Sequence, residues 1–175
     1  MNLILIGYRG TGKTVVGRAL AKRLGRSFFD ADVYIEDKAG RTIKDMVAQE
    51  GWPFFRAREK EAIQEISAAD HCVIAPGGGA VMDDDNVISL RRKGWFVLLK
   101  ADIDTMIQRI RGDEKSSGQR PDLLGGDLYE ETETVLKERM PTYERVADLV
   151  VDTTHLTIDE VVEKIIEEES RYSGD

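Results

Sequence analysis

Five short apolar runs alternate along this chain with longer stretches whose apolar residues recur at helical spacing. The runs occupy residues 3–6, 27–29, 71–75, 95–99 and 148–151. The connections between them are too long for hairpin turns, whereas parallel strands require long, right-handed crossovers. The pattern therefore predicts an α/β fold, a three-layer α/β/α sandwich with a five-stranded parallel sheet. A length of 175 residues fits a single domain over 1–175.

Capping residues predict where several helices begin. Asp32 can cap a short helix that runs toward Gly40, and Thr157 with Glu160 forms a capping box for the last helix. Apolar residues at helical spacing predict another helix over 128–140.

A complete G-x-x-x-x-G-K-[ST] motif lies at residues 7–14, between the first apolar run and the first predicted helix. Its glycines allow several backbone N–H groups to converge on one phosphate, and the helix N-terminus adds positive potential. We expect Lys13 to reach the β- and γ-phosphates of a nucleotide and the Thr14 hydroxyl to coordinate Mg²⁺. The alternative is a glycine-rich turn with an incidental lysine, which explains the full spacing and context less well.

Carboxylates and glycines follow the second and third apolar runs. Asp30 and Asp32 flank the end of the second run, and Gly77, Gly78 and Gly79 follow the third. In open parallel sheets, ligands bind at the carboxyl ends of the strands. One carboxylate can support Mg²⁺, the other can accept a proton from an attacking hydroxyl, and the glycines allow close approach of a ligand. Helix capping by Asp32 and a merely permissive glycine loop remain open alternatives.

The net charge of −8 does not favour electrostatic binding to nucleic acid or to an anionic membrane surface. An anionic ligand therefore needs a local basic cluster, and the candidates are Arg56, Arg58, Arg120 and Arg139. Guanidinium groups bind carboxylates or phosphates through paired hydrogen bonds. Arg120 lies in a charged, glycine-bearing segment that we expect to be a mobile lid. The other arginines could instead lie on solvated helix faces.

Cys72 is the single cysteine, so no internal disulfide can form, and no apolar run approaches the roughly 20 residues of a membrane helix. We expect a cytoplasmic protein without nucleic acid or membrane partners, and a monomer.

Taken together, the motifs resemble those of the shikimate kinase family, and the likeness covers nearly the whole chain. The matching segments are 7–14, Phe29-Asp30-Ala31-Asp32, 51–59, 77–79, Arg120-Pro121 and Arg139-x-Pro141-x-Tyr143. The resemblance implies a P-loop fold like that of the nucleoside monophosphate kinases, with sheet order 2-3-1-4-5. It also implies a substrate-binding region at about 33–62 and a lid at about 112–126.

The implied reaction is transfer of the γ-phosphoryl group from ATP, with Mg²⁺, to the 3-hydroxyl of shikimate, on the pathway to aromatic amino acids. Lys13, Asp32 and Arg120 are the implied catalytic residues. Arg120 also contacts the nucleotide, and the other implied nucleotide-binding residues are Gly10, Thr11, Gly12, Lys13, Thr14 and Val15. Thr14 and Asp30 are implied to hold Mg²⁺.

On the acceptor side, the resemblance implies that Arg56 and Arg139 bind the carboxylate of shikimate, with Glu59 orienting Arg56. Asp32 would bind ring hydroxyls and serve as base or orienter. Gly77, Gly78 and Gly79 are implied to line the substrate site.

Two other functions stay open from the sequence. One is a kinase of the same fold that acts on gluconate or a nucleoside monophosphate, although the arginines and Asp32 favour a small hydroxy-carboxylate. The other is a P-loop module that uses ATP as a switch. Asp32 and the lid arginine argue against this second function. Release of ADP with and without shikimate separates the switch from the kinase, and a screen of acceptors separates the rival kinases.

Overall fold

A computed structural model describes residues 1–112 and 127–173. Within these residues, five parallel strands form one sheet in the order β2-β3-β1-β4-β5, which confirms the predicted architecture. The strands are β1 (Asn2–Ile6), β2 (Ser27–Asp30), β3 (Cys72–Ala75), β4 (Gly94–Lys100) and β5 (Leu149–Asp152). The central strand β1 pairs through Ile4 with Ile74 of β3 and with Phe96 of β4.

Helices connect the strands and cover both faces of the sheet. They are α1 (Lys13–Leu24), α2 (Ala31–Ala39), α3 (Ile43–Ser67), α4 (Asp84–Arg91), α5 (Ile103–Gly112), α6 (Leu128–Val146) and α7 (Ile158–Ser173), with a 3₁₀ turn at Ala80–Met82. Among the described helices, none has the length and apolar character needed to cross a membrane. The predicted lid over 112–126 lies outside the described residues, apart from Gly112 at the end of α5.

The sheet separates two apolar cores because successive side chains of a strand point to opposite faces. Leu3 and Leu5 of β1 pack in one core with Leu20 of α1 and with residues of α7. The alternate residues Ile4 and Ile6 pack in the other core, which includes side chains from α3 and α6. The alternating side chains of β1 thus pack against helices on both faces of the sheet, which gives three layers: helices, sheet, helices.

The cap of α2 differs from the prediction. Asp30, not Asp32, is the N-cap residue: its carboxylate accepts a hydrogen bond from the backbone N–H of Asp32 at 3.1 Å. Because β2 runs directly into the helix, the last strand residue has the extended backbone that a cap requires. Asp32 consequently lies in the first turn of α2, and its side chain is not the cap.

Helix α6 extends further than the predicted 128–140. It continues across Pro141 to Val146. Proline removes one backbone donor from the helix, yet the next turn carries Tyr143 and Val146, which are 0% and 3% exposed. Burial of these side chains against the sheet outweighs the lost hydrogen bond.

The capping box of Thr157 and Glu160 is confirmed. The Glu160 carboxylate accepts from the Thr157 backbone N–H at 2.7 Å, and the Thr157 hydroxyl accepts from the Glu160 N–H at 3.3 Å.

Candidate functional site: a glycine loop beside an acidic and basic cleft

The loop between β1 and α1 follows a path that only glycine permits. Gly7, Gly10 and Gly12 all have positive φ, at 138°, 79° and 98°. A Cβ atom on Gly7 would also lie 2.3 Å from the carbonyl oxygen of Leu99. The loop ends at the N-terminus of α1, where unpaired N–H groups and the helix dipole favour an anion.

Lys13 lies at the start of α1 and its side chain folds back along this loop. Its Nζ donates to the carbonyl oxygens of Gly7 and Tyr8, each at 2.8 Å. The side chain of Thr11 is buried and donates to the Tyr8 carbonyl at 2.8 Å. The ammonium group of Lys13 therefore lies inside the glycine loop, and its contact with the phosphates of a nucleotide stays a prediction.

Thr14 and Asp30 come together beside the loop. The Thr14 hydroxyl donates to Oδ2 of Asp30 at 2.8 Å, while Oδ1 of Asp30 caps α2. Hydroxyl and carboxylate oxygens are the ligand type that Mg²⁺ prefers. This oxygen pair, adjacent to a phosphate loop, fits the predicted magnesium site. Val15, the next residue of α1, is 51% exposed.

A cleft with about 510 Å³ of space, part of it open to solvent, lies next to the same loop. Several residues predicted for the acceptor site line it together: Asp32, Arg56, Glu59, Gly77, Gly78, Gly79 and Arg139. They come from α2, α3, the loop after β3 and α6, which are distant in sequence. Among the predicted residues, two guanidinium groups and two carboxyl groups thus share one cleft, and the guanidinium groups can bind the carboxylate of a hydroxy-carboxylate ligand.

Glu59 holds Arg56 from a buried position. The carboxyl oxygen Oε2 accepts from Nη1 of Arg56 at 2.6 Å, and the Glu59 side chain is only 2% exposed. Burial raises the pKa of the Glu59 carboxyl, although the positive charges of Arg56 and Arg139 oppose that shift. Within the described part of the chain, the other oxygen, Oε1, is buried without a hydrogen-bond partner.

The triple glycine lets these side chains approach the backbone. A Cβ on Gly77 would lie 2.8 Å from Oε1 of Glu59 and 2.9 Å from Oδ1 of Asp32. The hydroxyl of Tyr143 in α6 also holds this loop, because it donates to the carbonyl oxygen of Gly78 at 2.5 Å. Packing of protein side chains therefore accounts for glycine at position 77, and the ligand-site role of the three glycines stays a prediction.

Arg58, one of the predicted arginines, does not line this cleft. Arg58 lies on an exposed face of α3, where its Nη1 donates to Glu61 at 2.9 Å. The prediction that Arg58 belongs to the basic cluster is wrong, because it lies two residues from Arg56 and points away from the cleft. Arg120 lies outside the described residues.

The cleft also contains residues that the sequence reasoning missed. Tyr8, Arg9, Ile43 and Trp52 contribute to its lining. Arg9 donates through Nη2 to Glu131 of α6 at 3.0 Å, with both side chains largely buried. Its position inside the G-x-x-x-x-G-K-[ST] motif was a signal that could have singled it out.

A second missed feature is Arg109 of α5, which ties the glycine loop to the loop after β5. Its guanidinium donates to the carbonyl oxygen of Gly10 at 3.3 Å, and to the hydroxyl and carbonyl oxygens of Thr153 at 2.9 and 2.8 Å. The Thr153 hydroxyl also lies within hydrogen-bond distance of the Thr11 carbonyl. No local sequence pattern marks this contact, because it joins residues more than 40 positions apart.

Comparison with known proteins agrees with these observations. The family model described as shikimate kinase matches residues 9–169. A shikimate kinase from Syntrophus aciditrophicus is 47% identical, and the match covers 94% of this chain and 89% of the relative. A shikimate kinase from Symbiobacterium thermophilum is 41% identical, with 95% of each chain covered. The solved structure of the Acinetobacter baumannii shikimate kinase in complex with shikimate has a TM-score of 0.90 and 33% identity, covering 98% of this chain and 93% of that one.

Proposed function

This chain belongs to the shikimate kinase family, and we propose that it transfers the γ-phosphoryl group of ATP to the 3-hydroxyl of shikimate. The observation that carries the proposal is the cleft in which Arg56, Arg139 and Asp32 lie beside the glycine loop. Phosphoryl transfer needs the donor phosphate and the acceptor hydroxyl to be held in line. A phosphate site in the glycine loop that adjoins an acceptor site in the cleft provides that geometry.

Arg56 and Arg139 bind the carboxylate of the acceptor. Each charge-assisted hydrogen bond of this kind contributes on the order of 1.5–3 kcal/mol. Glu59 fixes the guanidinium of Arg56 through the 2.6 Å hydrogen bond. The other N–H groups of Arg56 then donate to the ligand. Because the carboxylate is anchored on this side of the cleft, the ring hydroxyls are directed toward Asp32 and the glycine loop.

Asp32 accepts the hydrogen bond, and then the proton, of the attacking hydroxyl. Its Oδ1 lies against Gly77, on the wall of the cleft that carries Glu59. An oriented carboxylate of this kind raises the nucleophilicity of an alcohol without forming a covalent intermediate.

The backbone N–H groups of residues 10–15 and the ammonium of Lys13 bind the phosphates of ATP. Lys13 leaves the carbonyl oxygens of the loop to reach the β- and γ-phosphates, where its charge stabilises the transition state. Thr14 and Asp30 would hold Mg²⁺, which neutralises charge on the phosphate oxygens when it is bound. Closure of a lid over 112–126 with Arg120 on the phosphates stays a prediction.

We further propose that residues 1–175 act as a single domain whose acceptor region lies within about 33–62. The protein is proposed to work as a monomer in the cytoplasm, with ATP and shikimate as its partners.

An acceptor screen tests the proposed reaction. ADP release from Mg²⁺-ATP is measured with shikimate, quinate, gluconate, nucleoside monophosphates or no acceptor. We expect ADP to form in a one-to-one ratio with phosphorylated shikimate and to form slowly in every other reaction. ADP release that does not depend on shikimate would support a switch, and a preference for gluconate or a nucleotide would support the rival kinases.

A further inference from the structure

Arg56 lies in a corner formed by two aromatic rings of its own helix. Its Cζ is 5.3 Å from the ring centroid of Trp52 and 5.3 Å from that of Phe55. The two rings meet edge to face, with centroids 5.8 Å apart and planes at 75°. A guanidinium within about 6 Å of an aromatic face is attracted by the ring quadrupole. Nothing in the proposed reaction so far uses Trp52.

The spacing of these residues along α3 explains the arrangement. Trp52 and Arg56 are separated by one helical turn, and Arg56 and Glu59 by three residues, so the three side chains lie along one face. Helix α3 is broken at Gly51, where φ is 82° and ψ is 170°, and helical geometry restarts at Trp52. Pro53 in the following turn suits such a start. Trp52 is therefore the first residue of the helical segment that carries Arg56. Both residues line the cleft.

Arg56 needs such support because its side chain is 37% exposed. The Glu59 carboxylate fixes one nitrogen, Nη1, but a single hydrogen bond leaves the guanidinium plane free to rotate about it. An aromatic face restricts that rotation, since stacking selects the orientation of a planar cation. Glu59 thus fixes one nitrogen of the guanidinium, and the ring centroid of Trp52 lies 5.3 Å from its central carbon.

We propose that Trp52 is a positioning residue that holds the guanidinium plane of Arg56 in the orientation that receives the substrate carboxylate. The inference rests on the proposed function, in which Arg56 binds that carboxylate. Trp52 acts through Arg56 and does not itself supply a polar group to the substrate.

Replacement of Trp52 by leucine tests this inference, with Phe54→Leu as the matched control. Phe54 also lies against guanidinium groups, those of Arg41 and Arg58, but these arginines are outside the cleft. We expect Trp52→Leu to raise the shikimate KM about 2- to 30-fold, with the ATP KM within twofold of wild type. Trp52→Phe, which keeps an aromatic face, should restore most of the shikimate affinity. Phe54→Leu should leave the shikimate KM unchanged.

A comparison with Arg56→Ala separates this inference from the proposed function. If Arg56→Ala leaves shikimate binding unchanged, the proposed acceptor site fails, and the role of Trp52 fails with it. If Arg56→Ala weakens binding but Trp52→Leu does not, only the role of Trp52 is overturned. Calorimetric Kd values for shikimate should show no further effect of Trp52→Leu in the Arg56→Ala protein. An undiminished effect there would overturn the inference, because Trp52 would then act independently of Arg56.

Fluorinated tryptophans keep the test decisive if Trp52→Leu does not fold, because fluorine weakens the ring quadrupole with little change of shape. Trp95 is the other tryptophan and is buried in β4, so the series is made in a Trp95→Phe background. The shikimate KM should rise stepwise with the number of fluorine atoms. A KM that stays constant across the series would refute the role of Trp52.

Discussion

Replacement of Gly79 by alanine tests the placement of Arg56 with little risk to the fold. Gly79 has φ −92° and ψ −6°, a conformation open to any residue. A Cβ at this position would lie 2.4 Å from Nη2 of Arg56 and 2.9 Å from its Cζ. An ordinary van der Waals contact begins near 3.4 Å, so the guanidinium must move by about 1 Å.

A displacement of this size should abolish the charge-assisted bonds between Arg56 and the substrate carboxylate. The loss of even one of these bonds costs on the order of 1.5–3 kcal/mol, which corresponds to an increase of about 10- to 150-fold in the shikimate KM. The free energy of unfolding should change little if the displaced guanidinium keeps its bond to Glu59, because the clash is with the end of a side chain and not with backbone. Alanine also lowers the entropy of the unfolded chain, which stabilises the fold by about 0.4–1 kcal/mol.

The KM values are measured by ADP release at saturating ATP, and stability is measured by urea denaturation. The Gly79→Ala/Arg56→Ala double variant is the control: with no guanidinium left to displace, it should match Arg56→Ala alone. An unchanged shikimate KM in folded Gly79→Ala protein would contradict the proposed position of Arg56. A loss of several kcal/mol in stability would contradict the reasoning about the clash.

Three further changes probe other parts of the site. Lys13→Ala should lower kcat by about 10²–10³-fold in protein with an unchanged CD spectrum, since a cation that stabilises the transition state is lost; wild-type turnover would exclude Lys13 from catalysis. Because the pKa of Glu59 is raised, its carboxylate gains a proton at a higher pH than an ordinary glutamate as the solution is acidified. The shikimate KM should therefore rise on acidification while the pH is still above the usual range of glutamate, and this rise should be missing in Glu59→Gln. Tyr143→Phe leaves the Gly78 carbonyl without its 2.5 Å donor and should cost about 1–3 kcal/mol in urea denaturation, whereas an unchanged midpoint would show that the bond contributes nothing.

Most of the fold could be predicted from the sequence because its signals are local. Strand and helix periodicity, the G-x-x-x-x-G-K-[ST] motif at 7–14 and the Thr157–Glu160 capping box each depend on residues close in the chain. The end of α6 was missed because Pro141 is a strong local signal to stop. Tertiary burial of Tyr143 overrides that signal, and burial depends on distant residues.

The candidate site was predictable where a motif named the residue, and not where a long-range contact decided its role. Arg56 and Arg58 are the same residue type two positions apart, and apart from the family resemblance only the direction of each side chain from α3 separates them. Asp30 caps α2 in place of the predicted Asp32, because β2 continues directly into α2. The contact of Arg109 with Thr153 joins two loops that no sequence pattern relates.

The central claim is that the acceptor cleft and the glycine loop present their ligands to each other. A crystal structure of the protein with shikimate and a non-hydrolysable ATP analogue tests it most directly. The claim predicts the shikimate carboxylate on Arg56 and Arg139, a ring hydroxyl at Asp32, and the γ-phosphate at Lys13 in line with that hydroxyl. Shikimate bound elsewhere, or with its carboxylate turned away from both arginines, would contradict it.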